Sequence, residues 1–159
     1  MLARLAAVMR DQRPAFKVAK MFIDSAYGAP YVELLHALGF ANVIEVNFGA
    51  ASPDRHQANM RAYMWNLTKE WLPHGAIPVD DEKLALDLGS PGAHIRTNGQ
   101  LVLESQESMQ KRGLASPDDG DALALTYAQP VAALSPEEPD NEEDFVPGPY
   151  GSGSGSWMR

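Results

Sequence analysis

The sequence predicts an α/β fold followed by a disordered tail, and three observations carry that reading. Strand-like and helix-like segments alternate through residues 1–129. The first of them form a strand–helix–strand unit, which implies two parallel strands joined by a right-handed crossover. The composition then shifts after Gln129 to Pro-rich, acidic and finally Gly/Ser-rich stretches. With 159 residues, 45% of them hydrophobic, the chain is long enough for one domain with a sizeable core plus a tail.

The elements run in order along the chain. Leu2, Leu5, Ala6 and Met9 fit one face of a short helix, and Pro14 closes it. Val18 to Ile23 is apolar between Lys17 and Asp24 and reads as a buried strand. Pro30 opens a helix whose expected buried face is Tyr31, Leu34, Leu35 and Leu38, and Gly39 ends it. Val43 to Phe48 is a second strand. Ser52-Pro53 reads as the start of a helix running to about Leu72, with Met60, Met64, Leu67 and Trp71 as core packing. Pro78 to Leu88 is a short helix with an acidic start. A hairpin comes next, with Ala93 to Arg96 and Gln100 to Leu103 flanking Asn98-Gly99, a pair suited to a type I′ turn. Gln106 to Arg112 is a helix stopped by Gly113, and Ser116-Pro117 opens a last helix through Ala128.

Residues 130–159 lack the apolar content for a core and read as a disordered tail, acidic and then Gly/Ser-rich. The segment 137–144, EEPDNEED, holds six of the 21 acids. The net charge of -8 therefore overstates the acidity of the folded part, where a local basic patch could still meet phosphate. With no cysteine, disulfides and thiolate-ligated zinc are excluded. No apolar run reaches the eighteen or so residues a membrane span needs, and the Leu2 to Met9 stretch, broken by Arg4, lacks the form of a signal peptide. These features lead us to expect a cytoplasmic protein.

Two places carry candidate chemistry. Asp24 ends a buried strand and precedes Ser25 and the Tyr27-Gly28 loop, the position where ligands gather in open α/β sheets. Equally, Asp24 can cap the next helix or its loop. The second place is Ser116-Pro117-Asp118-Asp119-Gly120-Asp121. Ser116 and Asp119 have capping-box spacing, and acids in a first turn suit the helix dipole, so Asp118 and Asp119 have structural explanations. Asp121 has none: it lies a turn into a helix that continues with apolar Ala122 to Leu125. Asp118 and Asp121 are three apart and share a face. Like charges directed into a packed site require a cation, and by ligand hardness Mg²⁺ or Mn²⁺ is the natural one. Lys111 and Arg112 can contact DNA phosphate or simply complement the C-terminal end of their helix. His36, His56, His74 and His94 lack metal-ligand spacing, Ser105 lacks a base partner, and there is no GxxxxGK[ST] loop.

These residues together bring a family into view. The stretches MFIDSAYGAPYVELLHALGF, VIEVNFGAAS, NMRAYMWNLTKEWL followed by GAIP, and GQLVLESQESMQKRGLASPDDGDALALTYA span about residues 18 to 128. In order, they resemble the C-terminal nuclease domain of phage and prophage large terminase subunits. The resemblance implies a ribonuclease H-like three-layer fold of sheet and helices. It implies an acidic cluster holding two divalent metals, and cutting of concatemeric viral DNA during packaging in the bacterial host cytoplasm. Asp24 matches the acidic position ending a central strand and Asp121 the one on the last helix. Asp118 matches an auxiliary ligand position, with Asp119 as a substitute.

The family's opening strand hairpin, which carries its first catalytic Asp, has no counterpart in the seventeen or so residues before the Asp24 strand. The fold is therefore expected to be incomplete, with an exposed sheet edge open to self-association. The expected activity is that of a metal-dependent endonuclease on double-stranded DNA. The alternative is a non-catalytic fragment docking a portal or small terminase subunit, or a decayed prophage remnant.

Overall fold

Two short parallel strands, with helices packed on both of their faces, form the centre of the molecule. In the computed structural model, residues 1–11, 13 and 17–132 are described; Pro14 and nearly all of the expected tail lie outside them. The elements run α1 (Leu2–Met9), β1 (Met21–Asp24), α2 (Ser25–Ala37), β2 (Val43–Val46), α3 (Met60–Trp71), α4 (Glu82–Gly89), β3 (Ala93–Ile95), β4 (Leu101–Leu103), α5 (Gln106–Lys111) and α6 (Asp118–Leu125).

β1 and β2 pair in parallel, with Met21 opposite Val43 and Asp24 opposite Val46. Strand alternation divides their side chains between two cores. Met21 and Ile23 pack with Ala6 and Met9 of α1, Val32 and Leu35 of α2, and Val43. Phe22, Ile44 and Val46 pack with Met64 and Trp65 of α3 and Ala124 of α6. The expected three-layer order is thus present around two strands. β3 and β4 form a separate antiparallel sheet.

Several expected boundaries move, each for a local reason. β1 begins at Met21 and not Val18 because the carbonyls of Val18 and Ala19 accept from the Asn42 side-chain amide, at 3.1 and 3.2 Å, and not from a strand. α2 begins at Ser25, directly after the strand, so Pro30 lies inside it and removes one helical hydrogen bond. Its buried face is Gly28, Val32 and Leu35, while Leu34 and Leu38 are each 49% exposed. Gly28 explains this rotation: a Cβ there would come within 2.2 Å of Ile23 Cγ2, so only glycine lets the first turn lie against the strand it has just left. Gly39, at φ 91°, ends the helix as expected.

α3 starts at Met60 and not near Ser52. The Ser52 hydroxyl accepts from the Asp54 N–H and the Asp54 carboxylate from the His56 N–H, which commits both side chains to local turns. Asn59 is the true cap, accepting from Ala62 N–H at 2.9 Å. The first α3 donors reach back to the 48–50 backbone, Met60 N–H to Ala50 O and Arg61 N–H to Phe48 O.

The hairpin turn is also different from the expected type I′. Gly99 N–H donates to Arg96 O and Arg96 N–H to Gln100 O, giving a three-residue loop with Gly99 at φ 82°. α5 stops before Gly113, at φ 77°. α6 lacks the expected Ser116–Asp119 capping box. Its first residue is Asp118, and the N–H groups of Asp119 and Gly120 donate instead to the carboxylate of Asp87 on α4. Ala122 is exposed, so α6 is buried through Gly120, Asp121 and Ala124 and not all round.

The tight approach of α2 to β1 gives a direct test. Gly28→Ala should lower unfolding free energy by about 1–3 kcal/mol in urea denaturation. On an Ile23→Ala background the same substitution should cost less than it does in the wild-type chain, since the offending methyl is then gone.

Candidate functional site

The end of β1, the start of α6 and the N-terminus of α3 meet at a cleft of about 1020 Å³. Asp24, Asp118 and Asp121 all line it, as does Arg61, the one basic residue on its walls among the described residues. Asp24 arrives there because strand alternation puts it on the face of Phe22, toward α3 and α6. It is the residue preceding α2, yet its side chain makes no capping hydrogen bond. Asp118 is exposed at the first position of α6. Asp119 turns away from the cleft and pairs with Lys83.

Asp121 is in a different state from its neighbours. It is 6% exposed, and four hydrogen bonds converge on its carboxylate. Oδ1 accepts from Arg61 Nε at 2.9 Å and from Trp65 Nε1 at 2.7 Å. Oδ2 accepts from the Arg61 NH2 group at 3.1 Å and from Gln106 Nε2 at 3.3 Å. A carboxylate offers about four lone-pair positions, so this one has its acceptor capacity filled. The Arg61 guanidinium is held in turn: its NH1 donates to Glu104 O at 2.8 Å, and its centre lies 5.8 Å from the Trp65 ring centroid. The cation that a buried Asp121 requires is supplied by the chain itself.

These observations bear on how a divalent ion would be held. No group of three histidine, aspartate or glutamate side chains among the described residues is gathered closely enough to hold a metal ion. Asp24 and Asp118 line the cleft with hard oxygens, the donor type a divalent ion takes, whereas the oxygens of Asp121 are occupied by Arg61, Trp65 and Gln106.

Lys111 and Arg112 lie away from this cleft. Lys111 pairs with Glu107 one turn earlier on α5. Arg112 donates to both oxygens of Glu104 and to Ser90 O, tying α5 to the end of the hairpin. Arg61, Trp65, Gln106 and Asp87 carry the site's polar framework, and sequence reasoning alone does not single them out. A signal exists for two of them. Arg61 sits among Met60, Ala62, Met64 and Trp65, and Asp87 between Leu86 and Leu88; a charge in an apolar run needs a buried partner.

No family model matches the sequence, and no curated protein matches it. Among solved structures, the chain is similar to the nuclease domain of the large terminase subunit gp2 of bacterial virus Sf6. The TM-score is 0.50 and the identity 22%, over 72% of this chain and 66% of that one. The likeness shows a shared fold, and this chain spans 66% of that domain's length. The expected resemblance to terminase nuclease domains thus reappears as a likeness of fold.

Glu104 gives the framework a measurable pH dependence. The Arg112 guanidinium, then the Ser108 hydroxyl and the Gly92 N–H, hold its carboxyl at about 2, down from 4.5. A carboxyl whose folded value is depressed stabilises the fold above the unfolded value and loses that contribution as pH falls through the folded one. The melting temperature of the wild-type chain should therefore exceed that of Glu104→Gln above pH 4.5, and the difference should close between pH 4.5 and 2. A difference that stays constant across this range would contradict the pairing.

Proposed function

We propose that this chain is a nuclease domain of the phage large-terminase type, with a ribonuclease H-like core, that cuts double-stranded DNA during packaging of concatemeric viral genomes. Such work is done in the cytoplasm of the bacterial host. The observation that carries the reading is the convergence of Asp24, from the end of β1, and Asp118, from the start of α6, on one cleft. That convergence occurs in a chain whose fold is shared with a terminase nuclease domain. No helix among the described residues is long and apolar enough to cross a membrane.

In this reading Asp24 and Asp118 hold Mg²⁺ or Mn²⁺. Bound there, such an ion would supply activation of water and charge stabilisation at the leaving oxygen of a phosphodiester. The chain's own contribution is electrostatic and positional. Asp24 is fixed by the β1–β2 ladder at its backbone. Asp118 is fixed by the capping of α6 by Asp87, whose carboxylate accepts from the N–H groups of the next two residues. Arg61 balances Asp121, while Asp24 and Asp118 line the cleft as its other two acids.

The test is a plasmid-nicking assay with the full chain, supercoiled DNA and Mn²⁺, alongside calorimetric Mn²⁺ titration. Nicking is expected, with a loss of about 100-fold in Asp24→Ala and Asp118→Ala, the scale seen when charge stabilisation is removed from such a site. Mn²⁺ binding should weaken in both variants. Plasmid left intact at every Mn²⁺ concentration, with no heat of Mn²⁺ binding, would rule the reading out in favour of a non-catalytic docking module.

A further inference from the structure

Asp121 matches an acidic position expected to ligate metal, yet its surroundings are those of a completed ion pair. We propose that Arg61 permanently takes the place of a cation at Asp121, so that this chain binds at most one divalent ion, through Asp24 and Asp118, and not two. The proposal rests on the reading of the cleft as a metal site for its ion count, but its decisive test does not depend on that reading.

Each oxygen of Asp121 accepts two hydrogen bonds, from donors on Arg61, Trp65 and Gln106. A metal arriving at this carboxylate would have to displace one or more of these donors. Displacing Arg61 would strand a guanidinium on a residue that is 9% exposed and already anchored on Glu104 O. A buried charge that loses its partner is strongly destabilising, so the exchange is disfavoured unless the fold rearranges. The surroundings leave little freedom for that. Gly120 brings α6 so near α3 that a Cβ on it would fall within 2.9 Å of the Trp65 ring. Arg61 is also fixed by its backbone N–H, which donates to Phe48 O at 3.0 Å. Asp24 makes no capping bond, and both it and Asp118 line the open cleft.

The two roles of Asp121 predict opposite signs in metal-free buffer. A metal ligand without its metal is one of several crowded like charges, and neutralising it stabilises the protein. An ion-pair partner does the reverse. With EDTA present, Asp121→Asn should melt lower than the wild-type chain by roughly 10 °C. A melting temperature that is unchanged or raised would overturn the proposal.

Should Asp121→Asn not fold, the double variant Arg61→Met/Asp121→Leu decides, because replacing both members of a buried pair by apolar groups of similar size costs little. It should fold and melt above Arg61→Met alone, the remaining loss coming from Trp65 Nε1 and Glu104 O left without these partners, whereas a double variant as unstable as Arg61→Met alone would count against the pair. In calorimetry the wild-type chain should take up one Mn²⁺ and not two. Two ions in the wild type would refute the one-ion site. Absence of Mn²⁺ binding in every chain would count against the metal role of Asp24 and Asp118 alone, the sign of the metal-free shift still deciding the role of Asp121.

Discussion

The buried pair of Arg61 and Asp121 organises everything around it. Four elements end on it: α3 through Arg61 and Trp65, α6 through Asp121, α5 through Gln106, and the end of β4 through the Glu104 carbonyl. Desolvating two charges is costly, and their attraction offsets that cost only when the remaining donors and acceptors are satisfied. Here the carboxylate is saturated, and the guanidinium is engaged by Asp121, by Glu104 O and by the face of Trp65. The pair therefore fixes how α3 and α6 meet more narrowly than apolar contact would, since a small slide leaves a buried charge unpaired.

The cleft is a consequence of that arrangement. α6 is held against α3 by the pair and capped by Asp87 of α4, so Asp118 is carried to a defined position at the helix start. β1 brings Asp24 to the same cleft by a separate route, with Gly28 allowing α2 to turn back on the strand at once. Two open carboxylates thus face a common space while the third is neutralised within the wall. Under the proposed nuclease reading the division matters, because a site with one acid already paired presents less negative charge to an anionic backbone than three free ones would.

Much of the fold is legible in the residues. The apolar blocks 18–23 and 43–48 do contain a parallel pair, and Gly39, Gly99 and Gly113 do mark their turns, each at positive φ. The rest is settled by contacts that periodicity does not encode. Leu34 and Leu38 match a helical stripe as well as Val32 and Leu35 do, and the choice between them is made by Gly28 against Ile23. Ser52 has the chemistry of a cap and uses it in a turn, because the 48–50 backbone, far from any local motif, receives the first donors of α3. In the site, the unexplained burial of Asp121 is readable, and so is its need for a cation. The identity of that cation is not, since Arg61 lies sixty residues away and only the tertiary fold brings it near.

Anomalous scattering from Mn²⁺ soaked into crystals of the full chain locates the ion and the guanidinium in one experiment. A single peak shared by the carboxylates of Asp24 and Asp118, with Arg61 still bonded to both oxygens of Asp121, is the predicted result. A peak on the Asp121 carboxylate with the Arg61 side chain swung away would contradict it.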